Sequence, residues 1–240
     1  ASNRSYQWMK DGAQVALTNT PTLNYSTFTG VENFFVRVFD RALQNSVTLD
    51  PLACESTTNS ITVTTVGATA VTLKQGGGGV AIPSEGFSKC QHIDVTSEDS
   101  SMGAANYNIL TTRMEGQDLQ RIKKGTPNAE QITVSFYIKS TITGTYILEL
   151  TDNDNSRSCS QAYTISASNT WEKKIITFPA DTTGQYDCDA DLSMEINWWL
   201  GAGSNYNSGT LQTTWGAQTN ANRAVGCVNA VSSTSNDIML

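Results

Sequence analysis

The run from Met194 to Gly216, MEINWWLGAGSNYNSGTLQTTWG, gathers the side chains that sugar recognition uses. Trp199, Tyr206 and Trp215 supply flat rings that cover the apolar C–H face of a pyranose. Asn197 and Glu195 supply amide and carboxylate groups that bond its hydroxyls. Successive side chains of a strand point to opposite faces. Leu192, Met194, Ile196, Trp198 and Leu200 therefore share one face, and Ser193, Glu195, Asn197 and Trp199 share the other. Trp198 is expected in the core, and Trp199 is expected to project among polar neighbours. The same arrangement equally suits burial of Trp199 beneath a loop or against a neighbouring subunit. Tyr206 and Trp215 have a second reading too, as anchors of the long polar loop that holds them. Trp171, at the head of WEKKIITF, is expected to plug the core.

Other constellations point to other chemistry. Asp152 and Asp154 in DNDN resemble the start of a calcium loop, since hard cations prefer carboxylate and amide oxygens. Ser156, Arg157 and Tyr163 break the EF-hand pattern. Asp187, Asp189 and Asp191 alternate along the chain, and as a strand they would all point the same way. A structural calcium at either place stands against hairpin turns and a solvated acidic edge; no other cofactor is expected. His92 is the single histidine, two residues from Cys90, so a thiol–imidazole pair is conceivable, but no orienting third group is legible. Glu115, Glu149, Glu172 and Glu195 are candidates for the paired carboxylates of glycoside hydrolysis, and none stands out. No G-x-S-x-G or H-E-x-x-H occurs. Gly76–Gly79 lacks the Lys-Ser/Thr ending of a phosphate-binding loop. The expectation is a protein without catalytic activity.

The elements that must position these residues are strands. Charged residues make up 15% of the 240, against about 25% in an average globular protein, and Ser, Thr, Asn and Gly fill the gap. A net charge of −7 argues against nucleic-acid partners and anionic membranes. No apolar run approaches the roughly 20 residues that span a bilayer, so membrane insertion is not expected. The chain begins without Met and is read as processed or partial. Five widely spaced cysteines with no C-x-x-C suggest isolated thiols rather than a disulfide scaffold or zinc site.

Period-two alternation runs through ITVTTVGATAVTL, CQHIDV, YNILTTRM, QITVSFYIKS, GTYILEL, SQAYTIS, WEKKIITF, LSMEINWWL and NDIML. Ile132, Val134, Phe136 and Ile138 fall on one face, as do Tyr146, Leu148 and Leu150. A short helix is expected at 116–124 from the Leu119/Ile122 pair. About eight or nine strands and no long helix predict an all-β, two-sheet jelly-roll sandwich over residues 60–240. Residues 51–59 read as a linker. Residues 1–50 carry their own short aromatic strands, in SYQWMKDG, TLNYSTF, NFFVRVFD and NSVTLD.

Two resemblances attach to these blocks. Tyr6-Gln7-Trp8 with Lys10-Asp11-Gly12, the Val36/Val38 region and residues 46–49 resemble the second half of an immunoglobulin-like module. No strands precede Trp8 and no cysteine pair brackets it, so the first strands are expected upstream or from another chain. MEGQDLQRIKKGT, ITVSFYIKS, GTYILELTDNDNSRS, NTWEKKIITFPADTTG, NWWLGAGSNYNSGTLQTTWG and ANRAVG, in that order, resemble a domain of bacteriophage virion surface proteins. These are tail-fibre-like and other structural proteins of marine phages, similar in architecture to jelly-roll carbohydrate-binding modules. In that family NDIML usually runs on into a Gly-Val-Gln-Leu-Glu-type continuation, so the last strand is expected to be shortened or to continue. The resemblance implies a virion location, on tail fibre or head decoration, with other virion proteins as partners; strand edges in need of cover argue for a homo-oligomer, most simply a trimer, and the aromatic and amide side chains for adhesion to host-surface glycan. A purely architectural fibre or capsid-associated role, or a polysaccharide depolymerase, are the alternatives. It brings no ligand site with it.

Overall fold

The computed structural model describes residues 4–10, 13–18, 34–40, 61–76, 86–87 and 89–240. The chain divides into two compact units, Ala1–Ser56 and Thr57–Leu240. In the first, β1 (Arg4–Lys10), β2 (Ala13–Thr18) and β3 (Phe34–Asp40) form an antiparallel sheet in the order β2-β1-β3. The expected strands in TLNYSTF and at 46–49, and the side chains behind the immunoglobulin-like reading, lie outside the described residues.

The second unit is a sandwich of two antiparallel sheets. One sheet has six strands in the order β13-β10-β9-β12-β7-β4. They are β4 (Ile61–Val66), β7 (Tyr107–Glu115), β9 (Gly144–Asp152), β10 (Arg157–Ile165), β12 (Leu192–Ala202) and the two-residue β13 (Gly216–Ala217). The other has five in the order β11-β8-β14-β6-β5. They are β5 (Ala70–Gly76), β6 (Cys90–Ser97), β8 (Ile132–Ser140), β11 (Glu172–Phe178) and β14 (Asp237–Met239). The described residues are all-β apart from short turns of helix, as the alternation requires.

Alternation explains the core. Ile93, Ile138, Tyr146, Leu148, Leu150, Phe178, Met194, Leu200 and Ile238 are at most 2% exposed and meet between the sheets. Each such side chain contributes roughly 1.5–3 kcal/mol on burial. Phe136 stands edge-on to Trp198 at 5.7 Å and to Tyr163 at 5.4 Å, a favourable quadrupole geometry.

Two local readings change. ITVTTVGATAVTL is not one strand but two, β4 and β5, which belong to different sheets. Gly67 makes the crossing at φ +124°, where a Cβ would stand 2.3 Å from the Asn106 side chain. The expected helix is one α-turn, α1 (Gly116–Leu119), and a 3₁₀ turn (Gln120–Ile122), stopped by Lys123 at φ 52°. Leu119 is buried and Ile122 packs on the core.

Candidate functional site

β12 carries the candidate residues across the middle of the six-stranded sheet. Met194, Ile196 and Trp198 point inward, and Glu195, Asn197 and Trp199 point outward. Pairing places Arg113, Thr111 and Ile109 of β7 beside them on one side, and Thr151, Glu149 and Ile147 of β9 on the other. The outer face thus interleaves charges, hydroxyls and apolar groups.

The chain itself then covers much of that face. A bulge between Trp199 and Gly201 shifts the register of β12 on β7, and its pairing with β9 ends at Trp199. At Gly203 a Cβ would lie 2.0 Å from the Gly103 carbonyl oxygen, so only glycine lets the backbone pass. The following segment, including the helical turn α2 (Ser204–Asn207), folds back over β9 and β10. Ser160 N–H donates to Gln212 O at 2.7 Å, and Ser160 Oγ donates to Arg223 O at 2.9 Å.

Of the two readings open to Trp199, the structure bears out burial beneath a loop and not projection among polar neighbours. Trp199 is 0% exposed, at the centre of a second apolar cluster with Ile109, Ile147, Ala202 and Ala224. Its Nε1–H donates to Glu149 Oε2 at 2.9 Å. Arg223 Cζ lies 5.1 Å over its ring, and the Tyr107 and Tyr206 ring centroids stand 6.1 Å and 5.6 Å away. Alternation correctly sent Trp199 to the outer face; the loop that roofs it is a tertiary event. Both adjacent tryptophans are buried, each in a different apolar cluster.

Glu149 is the electrostatic hinge of the roof. Its carboxylate receives Arg223 Nε–H at 2.8 Å and Nη2–H at 2.9 Å, as well as the Trp199 indole. Burial pushes the Glu149 carboxyl upward against the pull of Arg223 and the indole N–H. Burial works against the Arg223 charge, yet the adjacent carboxylate holds the guanidinium above its ordinary value. We take the pair to be ionic, because a forked guanidinium contact and a third donor saturate the carboxylate.

Beside the roof a cleft of about 390 Å³ remains open. Arg113, Glu195, Asn197, Thr64, Tyr206 and Asn220 line it, with Tyr107 and Arg223 at its inner end. Arg113 Nε–H donates to Glu195 Oε1 at 3.0 Å, and Thr111 Oγ1–H donates to Asn197 Oδ1 at 2.7 Å. These contacts fix polar groups in place before any ligand arrives. Of the five expected sugar-contact residues, Glu195, Asn197, Tyr206 and Trp199 border this cleft, Trp199 with no exposed surface. Trp215 is elsewhere.

Trp215 is drawn instead to Lys124. Its Nε1–H donates to Pro179 O at 2.9 Å, and its ring lies 5.2 Å from Lys124 Nζ. Lys124 is only 4% exposed. Its ammonium bonds Asp152 and Asp181, the Gly184 carbonyl at 2.7 Å and the Thr183 carbonyl at 3.0 Å, with the Tyr186 ring 5.0 Å away. Arg157 forks onto Asp181 at 2.9 and 3.0 Å. Burial works against the charge of Asp181, but its bonds from Arg157, Lys124 and Thr183 N–H hold the carboxyl below its usual value.

The same kind of contact engages the carboxylates read as calcium candidates. Asp152 is held by Lys124 and by Asn155 N–H. Asp154 accepts Asp187 N–H, and Asp189 accepts Asp191 N–H. Residues 188–191 form bends rather than the expected strand edge, because short acidic side chains bond nearby backbone donors. Among the described residues no group of three or more His, Cys, Asp or Glu is disposed to hold a metal. His92 Nε2 lies 2.7 Å from Asp237 Oδ1, and burial pushes the Cys90 thiol up, with Lys139 opposing, so no activated thiol results. Of the glutamates, Glu149 is fully engaged, Glu195 pairs with Arg113, and Glu172 lies in the opposite sheet with its carboxylate on Lys174. Trp171 is half-buried rather than a core plug.

Sequence reasoning missed Arg223, Arg113, Tyr107 and Lys124. Each acts through a partner distant in sequence, and no local spacing signals it.

No protein-family model matches this chain, and no curated protein matches it. One solved structure aligns with it: the enzymatically active domain of tailspike protein 4 of bacteriophage CBA120. The alignment has 13% identity and a TM-score of 0.38 and covers 75% of this chain. It spans only 18% of the tailspike chain, and at that TM-score it bears on neither mechanism nor ligand.

Proposed function

We propose that the Thr57–Leu240 unit is a non-enzymatic adhesion module on the surface of a phage virion and that the open cleft beside the Trp199 roof receives host-surface glycan. The virion setting rests on the ordered sequence blocks between Gly86 and Leu240. The observation that carries the glycan reading is the cleft's polar lining, held in place by ion pairs and hydroxyl–amide bonds within the sheet. A neutral, hydroxyl-rich ligand meets donors and acceptors there that need no reordering on binding. Tyr206 and Tyr107, packed edge to face at 5.0 Å, supply the aromatic wall in place of Trp199. A homotrimer would cover the edges of β4 and β11, which have no further strand beside them among the described residues.

The architectural reading draws on one fact, that the largest ring of the face is spent on packing. Titrating the full chain with neutral oligosaccharides from bacterial surface polysaccharides separates the two. Binding that weakens at least about tenfold in Arg113→Ala and in Tyr206→Ala supports adhesion. No binding at millimolar sugar leaves the architectural role.

A further inference from the structure

The groups of the polar cleft fall in rows, and the rows have an order. Arg113 of β7 faces Glu195 of β12, Thr111 faces Asn197, and Ile109 faces Trp199, with Thr64 of β4 beside Ile109. Rows on one face of a strand recur every two residues, so each lies about 7 Å from the next. Tyr107 stands beyond the third row, two residues past Ile109, and packs against Tyr206 at 5.0 Å. Along the face the chemistry passes from charge, through hydroxyl and amide, to apolar surface.

Two groups keep hydrogen-bonding capacity that the fold does not use. Glu195 gives Oε1 to Arg113 at 3.0 Å, and its Oε2 receives only the Thr151 hydroxyl at 3.5 Å, the outer limit of such a bond. Arg223 forks onto Glu149 through Nε and Nη2, and the planar guanidinium then turns Nη1 away from that carboxylate. Glu149 is fully buried and pairs with Asn197 across the ladder, so Arg223 is anchored one row along from Glu195. Glu195 also lies near enough to support the Arg223 charge. The cleft of about 390 Å³ thus holds a fixed acceptor and a fixed donor, with apolar surface at the donor end.

We propose that this cleft selects glycan carrying an acetamido group, an inference that rests on the adhesion reading and narrows its sugar class. A secondary amide is planar and trans, so its N–H and C=O point in opposite directions. A group that accepts the one and a group that donates to the other stand about 8 Å apart, close to one row of this face. The acetamido N–H donates to Glu195 Oε2, the carbonyl accepts from Arg223 Nη1, and the methyl lies toward Ile109, Tyr107 and Tyr206. A hydroxyl at the same ring position reaches one of the two groups and leaves the other without a partner. An ammonium there meets Glu195 but stands against the charges of Arg113 and Arg223. A carboxylate meets Arg223 but stands against Glu195.

The test uses the isotope-labelled full chain and five methyl glycosides: those of N-acetylglucosamine, N-acetylgalactosamine, glucose, galactose and glucosamine. Affinities come from amide and indole shifts in NMR titrations, and the Trp199 indole signal reports on the cleft. At least one acetamido sugar is expected to bind at least about tenfold more tightly than its hydroxyl parent and than glucosamine. Glu195→Gln keeps an oxygen for Arg113 and presents N–H groups where the acetamido N–H needs an acceptor, so it should erase the preference. Glu195→Ala should do the same. Arg223 is left in place because buried Glu149 depends on it. Tyr206→Ala should weaken acetamido and hydroxyl sugars alike. Equal affinity for acetamido and hydroxyl sugars, tightest binding of glucosamine, or a preference that survives both Glu195 variants overturns the acetamido inference. In those cases binding that still falls in Tyr206→Ala leaves the adhesion reading standing. No binding of any of the sugars overturns both.

Discussion

The two outer faces of the sandwich use aromatic rings in opposite ways. On the six-stranded sheet, Trp199 is sealed beneath the 203–224 segment and tied to Glu149 and Arg223. On the five-stranded sheet, Phe87 and Tyr137 remain at the surface beside Lys173. The first face spends its rings and charges on internal closure, and what stays open is polar. The second leaves Phe87 and Lys173 exposed, with Lys173 over the Tyr137 ring. An aromatic beside polar residues in sequence therefore does not announce a ligand site; what covers it decides.

The contrast breaks most severely at the buried charges. Arg223→Ala leaves Glu149 buried without its guanidinium partner and should cost about 3–5 kcal/mol in urea unfolding. Trp199 fluorescence should shift to the red as the roof loosens. Lys124→Met leaves Asp152 buried without its ammonium partner, while Arg157 still holds Asp181, and should cost about 3 kcal/mol. If either variant unfolds like the parent, these ion clusters are not structural.

A smaller effect should come from acid. The carboxyl of Asp181 is depressed in the folded state, so its contribution is present above the ordinary Asp value near 3.9 and is lost as pH falls through the folded value. The urea midpoint should therefore drop below about pH 4, and Asp181→Asn should flatten that slope. An identical acid limb in the variant would move the titrating group elsewhere.

Thiol labelling sharpens the map without changing stability. Burial pushes both Cys159 and Cys227 up to about 12, while Cys188 is exposed. Mass mapping after native alkylation should find Cys188 modified and the other two protected until denaturant is added. The smallest effect belongs to the open face: Lys173→Ala should change unfolding by no more than about 0.5 kcal/mol, since Lys173 is exposed.

Much of this was legible in the chain. Alternation assigned Tyr146, Leu148, Leu150 and Trp198 to the core, and each is buried there. It also sent Glu195, Asn197 and Trp199 to one outer face. It failed where the chain crosses between sheets at Gly67, since a period of two does not reveal which sheet a strand joins. It failed again at residues 187–191, where side-chain-to-backbone bonds replace a ladder.

By itself, then, the sequence determined the strands, their inward and outward sides and the all-β class, because these follow from a backbone geometry repeated every two residues. Only the tertiary structure decided that Trp199 is roofed, that Lys124 takes up the acidic oxygens of Asp152 and Asp181, and that Lys173 meets Tyr137. Those outcomes join residues tens of positions apart, and burial and ion pairing depend on which segments close in space, a property that no local spacing carries.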